Sequence, residues 1–177
     1  PLADLPRQVK TTVLRALREE QGGVLAFLPG EGEIRRTSAL LTASPELPET
    51  VDIVPLFGGL SRTDQDAAIR PAPPGRRKVV LATSIAESSL TLDDIRIVVD
   101  AGYMRVPSFS PRTGMGSLET ILVTQASADQ RRGRAGRVAP GVCYRMWPEG
   151  SHAGLKPFSA PEILAADLAP LVLELAA

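Results

Sequence analysis

The chain has 177 residues, the usual size of one domain, and 44% of them are hydrophobic, which is enough to bury a core. Lys plus Arg and Asp plus Glu number 20 each, which excludes a generally basic surface, so any contact with nucleic acid must be local. Because no apolar run approaches the roughly 20 residues that span a bilayer, and the N-terminus lacks a signal peptide, we expect a cytoplasmic protein with no membrane partner.

Short apolar runs alternate with amphipathic stretches along the first part of the chain. Residues 5–20 place Val9, Val13 and Leu17 on one helical face, and residues 24–28 then form an apolar run that predicts a strand buried on both faces. Similar runs lie at 51–56, 78–82 and 95–100, with helical stretches at 31–41 and 61–69. This alternation predicts an α/β fold, with a parallel sheet flanked by helices on both sides.

The pattern changes after Asp100. Several prolines and glycines lie within residues 103–117, and residues 118–124 alternate in hydrophobicity as a strand does. This pattern predicts a protruding β-hairpin. Residues 127–135 are predicted to form a helix capped by Ser127.

A further strand is predicted at 141–147, where the single Cys143 is interpreted as a small buried hydrophobe, and a loop at 150–161. We divide the chain into a domain at 1–150 and, at 151–177, a linker with the start of a following helical region. Because the chain begins with Pro1 and ends within a helical pattern, we expect a fragment of a longer protein.

Three segments are placed at the carboxyl ends of strands, where parallel sheets bind ligands. Residues 28–34 contain Gly30, and flexible glycines there let the backbone approach a ligand, although an ordinary strand-to-helix turn explains them equally well. Residues 82–94 contain five hydroxyls and three carboxylates. Helix capping accounts for one or two of these hydroxyls but not for five, and hydroxyls suit phosphate oxygens.

A third such segment, residues 130–137, carries four arginines and two glycines. On a helix, Gln130, Arg134 and Arg137 share one face, whereas the other two arginines turn away. An ordinary basic surface helix would avoid glycines, each of which costs about 1 kcal/mol relative to alanine. Arginines held in this way stabilise charge on a transferring γ-phosphoryl group, and one such finger contributes about 10³ to 10⁵ in rate. The segment is typical of a nucleotide sensor.

These segments resemble the DEAH/RHA family of helicases, and the resemblance covers nearly the whole chain. Residues 27–34, 83–92 and 130–137 resemble helicase motifs IV, V and VI, respectively. Further matches lie at 55–60, 71–73, 77–80, 98–100 and 111–115. The amino-acid sequence of residues 28–34 and that of residues 161–175 are most similar to the bacterial HrpB subgroup.

The resemblance implies a RecA-like domain of the P-loop NTPase type. Such a domain packs against a first RecA-like domain of the same chain, with ATP and Mg²⁺ between them and single-stranded RNA across both. Gln130, Arg134 and Arg137 would face the γ-phosphate, with the two arginines as fingers. The hairpin would act as a wedge beside the bound strand.

The same resemblance implies further contacts. On the nucleotide side, Asp93 would lie near the ribose and Ile69 beside adenine, where many members carry a stacking phenylalanine. Ser89 and Thr91 would couple the nucleotide and RNA sites, with Thr91 on the ATP side. The residues implied for RNA are Thr83, Ser84, Gly58, Gly59 and Gly30. Ser84 and Ser88 stand where many relatives have Asn and Thr.

The largest departure from the family is an absence. The sequence contains neither Gly-x-x-x-x-Gly-Lys-Ser/Thr nor Asp-Glu-x-His, which supply the phosphate cradle and the magnesium carboxylate of the motor. We therefore expect that this fragment alone binds no ATP or Mg²⁺ and hydrolyses no ATP.

Two alternatives stay open. One is a non-catalytic adaptor of the same fold that binds nucleic acid or protein, and the other is half of a DNA helicase or translocase. The arginines of residues 130–137 argue against an adaptor. The run at 86–91 disfavours the DNA enzymes, but motifs that contact the backbone do not separate RNA from DNA.

Overall fold

The computed structural model describes residues 2–88, 90–136 and 139–160 of the chain and has a parallel sheet at its centre. Among the described residues the sheet has five strands, which are β1 (Gly23–Phe27), β2 (Val51–Leu56), β3 (Arg77–Ala82), β4 (Ile95–Asp100) and β7 (Val142–Arg145). Their order across the sheet is β2-β3-β1-β4-β7, and all four neighbouring pairs are parallel. An antiparallel hairpin of β5 (Tyr103–Phe109) and β6 (Gly116–Leu122) stands apart from it. The predicted fold class is confirmed.

Helices cover both faces of the sheet, because alternate residues of its buried strands point to opposite sides. In β1, Val24 and Ala26 belong to one core, and Leu25 and Phe27 belong to the other. In the described part of the chain, the four α-helices are α1 (Leu5–Glu19), α2 (Glu31–Thr42), α3 (Arg62–Ile69) and α4 (Gln125–Gly133). Buried residues of α1 and α2 fill the first core, and Ala68 of α3 lies in the second.

The helix α4 differs from its prediction at both ends. Its N-cap is Thr124, whose hydroxyl accepts a hydrogen bond from the Ser127 amide at 3.1 Å, so the predicted cap at Ser127 is wrong. Ser127 lies in the first turn instead, and its hydroxyl donates to Glu87 at 3.2 Å. The helix ends at Gly133, a poor helix former, so Arg134 follows the helix rather than lying on its face.

The segment after α4 also differs in detail. The strand β7 is shorter than predicted, and Cys143 is half-buried because β7 is the edge strand of the sheet. A 3₁₀ helix at Glu149–Gly154 occupies part of the predicted loop.

The predicted domain boundary at residue 150 stays a prediction. The following residues pack on the start of α4, where the amides of Gln125 and Ala126 donate to the carbonyls of Lys156 and Pro157 at 2.8 and 3.1 Å. The C-terminal segment predicted from residue 161 lies outside the described residues. Within the described part of the chain, no helix is long and apolar enough to cross a membrane.

Candidate functional site

A cleft of about 410 Å³ lies at the carboxyl ends of β1, β2 and β3. Arg105 and Leu118 of the hairpin line the cleft on one side. The cleft is also lined by all five residues that the resemblance implied for RNA contact, which are Gly30, Gly58, Gly59, Thr83 and Ser84. Three loops that are far apart in the sequence therefore meet at this edge, as parallel strand ends must.

The glycines of this cleft serve different purposes. Gly58 and Gly59 form an exposed turn that the Leu60 amide closes on the Phe57 carbonyl at 3.2 Å. A β-carbon at Gly58 would meet nothing within 4 Å, so packing within the described chain does not require glycine there. Gly30, by contrast, is buried, and a β-carbon on it would collide with the guanidinium of Arg105. A side chain at position 30 would therefore displace the end of the Arg105 side chain.

Arg105 fixes the base of the hairpin to α2. Its Nη2 donates to both carboxylate oxygens of Glu33, at 3.0 and 3.1 Å, and its Nε donates to Thr120 Oγ1 at 3.2 Å. Glu33 is mostly buried, so this is a sheltered two-point contact. Sequence reasoning missed the pair, because nothing in the local pattern of either segment indicates its partner.

The segment 83–94 crosses one face of the sheet, from the carboxyl ends of the strands to their amino ends. It leaves the carboxyl end of β3 at Thr83 and reaches the amino end of β4 after Asp94. Ala86 and Leu92 fasten it to the core with 0% and 2% exposure. Asp93 therefore lies at the edge opposite to Thr83. The expectation that the whole segment occupies the carboxyl edge is wrong for its second half.

A buried arginine holds the first half of this segment. The Arg131 side chain has no solvent exposure, and its Nε and Nη2 donate to Glu87 Oε1 at 2.9 Å and to Ser84 Oγ at 3.1 Å. Its Nη1 donates to Asp100 Oδ1 at 2.7 Å, and its guanidinium lies 4.9 Å from the centre of the Phe27 ring. Burial opposes the charge, but Asp100 and Glu87 together raise the pKa of Arg131, so it stays ionised. Sequence reasoning gave Arg131 no role.

The middle of the segment is held by Arg134. Its Nε donates to the Glu87 carbonyl at 3.0 Å and its Nη1 to the Leu90 carbonyl at 2.6 Å. Glu87 is thus bound twice, through its side chain by Arg131 and through its backbone by Arg134. Gln130 is exposed on α4. Arg137 lies outside the described residues.

The residues implied for ATP contact lie toward the amino edge. Ile69, the last residue of α3, is half-buried against the second core. Thr91 and Asp93 are exposed on the segment 83–94, and Ser89 lies outside the described residues. Among the described residues, no group of three or more His, Cys, Asp or Glu is arranged to hold a metal ion.

The fold fits the RecA-like domain that the resemblance implies. A polar segment crosses one face of the parallel five-stranded sheet, Arg131 and Arg134 hold that segment, and the hairpin lies beside the cleft at the carboxyl edge. The model of the helicase conserved C-terminal domain matches residues 7–139, and the chain belongs to this family.

Relatives within the family agree with the DEAH/RHA resemblance and its subgroup. The ATP-dependent RNA helicase HrpB of Escherichia coli (strain K12) is 47% identical over 167 residues, which cover 94% of this chain and 20% of the relative. The probable ATP-dependent RNA helicase DHX34 of Homo sapiens is 42% identical over 160 residues, which cover 89% and 14%. The chain therefore spans about a fifth, or less, of the length of these relatives.

A solved structure agrees with the sequence relatives. The crystal structure of the E. coli DExH-box NTPase HrpB superposes with a TM-score of 0.83 at 46% identity, covering 96% of this chain and 21% of that chain.

Proposed function

We propose that this chain is the second RecA-like half of an ATP-dependent RNA helicase, which supplies arginine fingers to an ATP site between two domains and part of a single-stranded RNA track. The observation that carries the proposal is the double anchoring of the segment 83–94. Arg131 binds its beginning, beside the cleft, and Arg134 binds its middle. One segment thereby connects the candidate RNA cleft with the candidate nucleotide residues.

The described residues fit one wall of an ATP site. Two carbonyls hold the Arg134 guanidinium, so it needs little reorganisation to meet a developing charge, and preorganised donors of this kind dominate phosphoryl-transfer catalysis. A β-carbon at Gly133 would meet nothing within 4 Å, which agrees with a partner surface approaching there. Arg137 and Gln130 are assigned to the same wall by resemblance, and Ile69, Thr91 and Asp93 to the base and ribose end.

The opposite wall is proposed to belong to the first RecA-like domain. The loop that cradles phosphates and the carboxylate that holds Mg²⁺ are absent from this sequence, and bound Mg²⁺ would neutralise charge on the phosphates. We accordingly propose that this chain alone neither retains ATP and Mg²⁺ nor hydrolyses ATP. The buried charge network of Arg131 and the anchored Arg134 favour this motor half over an adaptor.

The RNA track is proposed to follow the cleft at the carboxyl edge. Backbone amides of Gly58 and Gly59 and the hydroxyls of Thr83 and Ser84 suit phosphate and sugar oxygens, which carry no sequence information. Binding with little sequence preference is therefore expected. Gly30 is assigned a supporting role beneath Arg105, because that side chain covers it.

The test is nucleic-acid-stimulated ATP hydrolysis by the full-length protein with Arg134→Ala. Loss of one finger is expected to lower kcat by about 10³-fold or more while ATP binding is largely retained. The matched control is Arg132→Ala, an exposed arginine of the same motif for which near-normal turnover is expected. Near-normal turnover of Arg134→Ala would overturn the finger assignment. Stimulation measured with RNA and with DNA of the same sequence decides between an RNA helicase and a DNA enzyme.

A further inference from the structure

A buried lysine stands at the amino edge of the sheet. Lys78 is the second residue of β3, and its side chain is 3% exposed. Its ammonium donates to the carbonyls of Ala68 and Arg70 at 2.7 Å each, and Asp94 Oδ1 lies 3.3 Å away. A charge withdrawn from water is costly unless several partners compensate it, and three surround this one.

The two carbonyls flank the candidate adenine contact. Ile69 ends α3, and the ammonium binds the carbonyl oxygens of the residues just before and just after it. The last carbonyls of a helix lack partners within the helix and carry its partial negative charge, so a cation there fixes the helix end. Lys78 therefore determines where the backbone of Ile69 lies.

The carboxylate of Asp94 joins the candidate ribose contact to the same point. Its Oδ1 faces Lys78, and its Oδ2 accepts a hydrogen bond from the Ala72 amide at 3.1 Å. Asp94 directly follows Asp93 at the end of the segment that crosses the sheet. Asp94 thus binds the loop after α3 through the Ala72 amide and meets Lys78, which binds the end of α3.

We propose that Lys78 and Asp94 form a positioning pair that sets the spacing between Ile69 and Asp93, and so determines how tightly the adenosine part of the nucleotide is bound. This inference rests on the proposed function. Neither residue of the pair touches the nucleotide. The spacing matters because Ile69 offers only apolar contact. A gap of about 0.5 to 1 Å loses a quarter to a half of the attractive van der Waals energy of such a contact.

The experiment compares two competitors of ATP hydrolysis in the full-length protein. Adenosine diphosphate uses the base and ribose contacts, whereas inorganic tripolyphosphate uses the phosphate contacts alone. With Lys78→Met, inhibition by adenosine diphosphate is expected to weaken about tenfold, the scale of one apolar contact, while inhibition by tripolyphosphate stays within about twofold. A general loss of structure would weaken both competitors alike.

Two further variants keep the test decisive. The double variant K78M/D94N removes both charges, so it should unfold at a higher temperature than Lys78→Met, which leaves a carboxylate facing no cation. It should still bind adenosine diphosphate weakly, because the two carbonyls stay unbound. It also decides the case if Lys78→Met does not fold. The matched control is Arg76→Met, which breaks the exposed pair with Asp52 at 2.7 Å and should leave both inhibition constants unchanged.

The inference is overturned if both Lys78 variants bind adenosine diphosphate as the wild type does, or if they lose both competitors equally. It is also overturned if Arg76→Met reproduces the effect. The Arg134→Ala variant separates this result from the proposed function. If Arg134→Ala abolishes turnover and Lys78→Met changes nothing, only the positioning role fails. Normal turnover of Arg134→Ala defeats the proposed function itself.

Discussion

Arg131 and Asp100 form an ion pair with no solvent exposure on either side chain, and 2.7 Å separates Arg131 Nη1 from Asp100 Oδ1. The pair joins α4 to the carboxyl end of β4, and Asp100 Oδ1 also accepts a hydrogen bond from the Gly102 amide at 2.9 Å. A buried ion pair adds little net stability, because its desolvation offsets its attraction, but the loss of one partner strands the other charge. The pair therefore enforces one arrangement of α4 against the sheet.

The first prediction is that Arg131→Met lowers the free energy of unfolding by about 3 to 5 kcal/mol, because it leaves Asp100 and Glu87 without their cation. Urea denaturation of the variant and the wild type measures the difference. The control Arg132→Met changes an exposed arginine and should stay within about 0.5 kcal/mol of the wild type.

A double variant separates the stranded charge from lost packing. Adding Asp100→Asn to Arg131→Met removes the more deeply buried of the two stranded carboxylates and should restore part of the stability, as coupled neighbours do in a double-mutant cycle. If Arg131→Met is as stable as the wild type, the network does not hold α4 in place.

Much of the sheet could be predicted from the sequence, because runs buried on both faces carry their own signal. The strands at 51–56 and 95–100 coincide with the predictions to the residue. The path of residues 83–94 was also implicit in the topology. A connection between parallel strands must return to the amino edge, so Asp93 could not lie beside Thr83.

The partners of the charged side chains could not be predicted. Asp100 ends an apolar run, which indicates a buried carboxylate in need of a cation, but any of the four arginines of residues 130–137, or an arginine elsewhere in the chain, could have supplied it. Tertiary packing alone selects Arg131. The cap of α4 shows the same limit, because Thr124 and Ser127 are both good capping residues and only the backbone path chooses between them.

A second prediction concerns the thiol of Cys143. Burial, together with the negative charge of Asp100, raises the pKa of Cys143 from 9.0 to about 11. Since this shift lowers the thiolate fraction about 100-fold at pH 8, alkylation by iodoacetamide should be slower by about that factor in the folded protein than in urea.

The raised pKa of Cys143 also makes the free energy of unfolding depend on pH. The folded state binds the thiol proton more tightly than the unfolded state, so this contribution is fully present below pH 9.0 and is lost as the pH rises through about 11. Cys143→Ala should remove that part of the pH dependence, which urea denaturation at pH 8 and pH 10.5 measures. Equal alkylation rates in the folded and unfolded protein would contradict the assignment.

The third prediction tests the RNA track at its most open point. A β-carbon at Gly58 meets nothing within 4 Å, so Gly58→Leu should fold with a loss below about 1 kcal/mol while it adds a bulky side chain to a residue that lines the cleft. We expect the affinity for single-stranded RNA to fall about tenfold or more, because a backbone contact is blocked. Fluorescence anisotropy of labelled RNA with the full-length protein measures this affinity.

The control Gly150→Leu fills equally open space on the 3₁₀ helix Glu149–Gly154 and should bind RNA normally. Inhibition by adenosine diphosphate should be unchanged in both variants, since the candidate base and ribose contacts lie at the opposite edge of the sheet. Unchanged RNA affinity in Gly58→Leu would mean that the strand does not pass through this cleft.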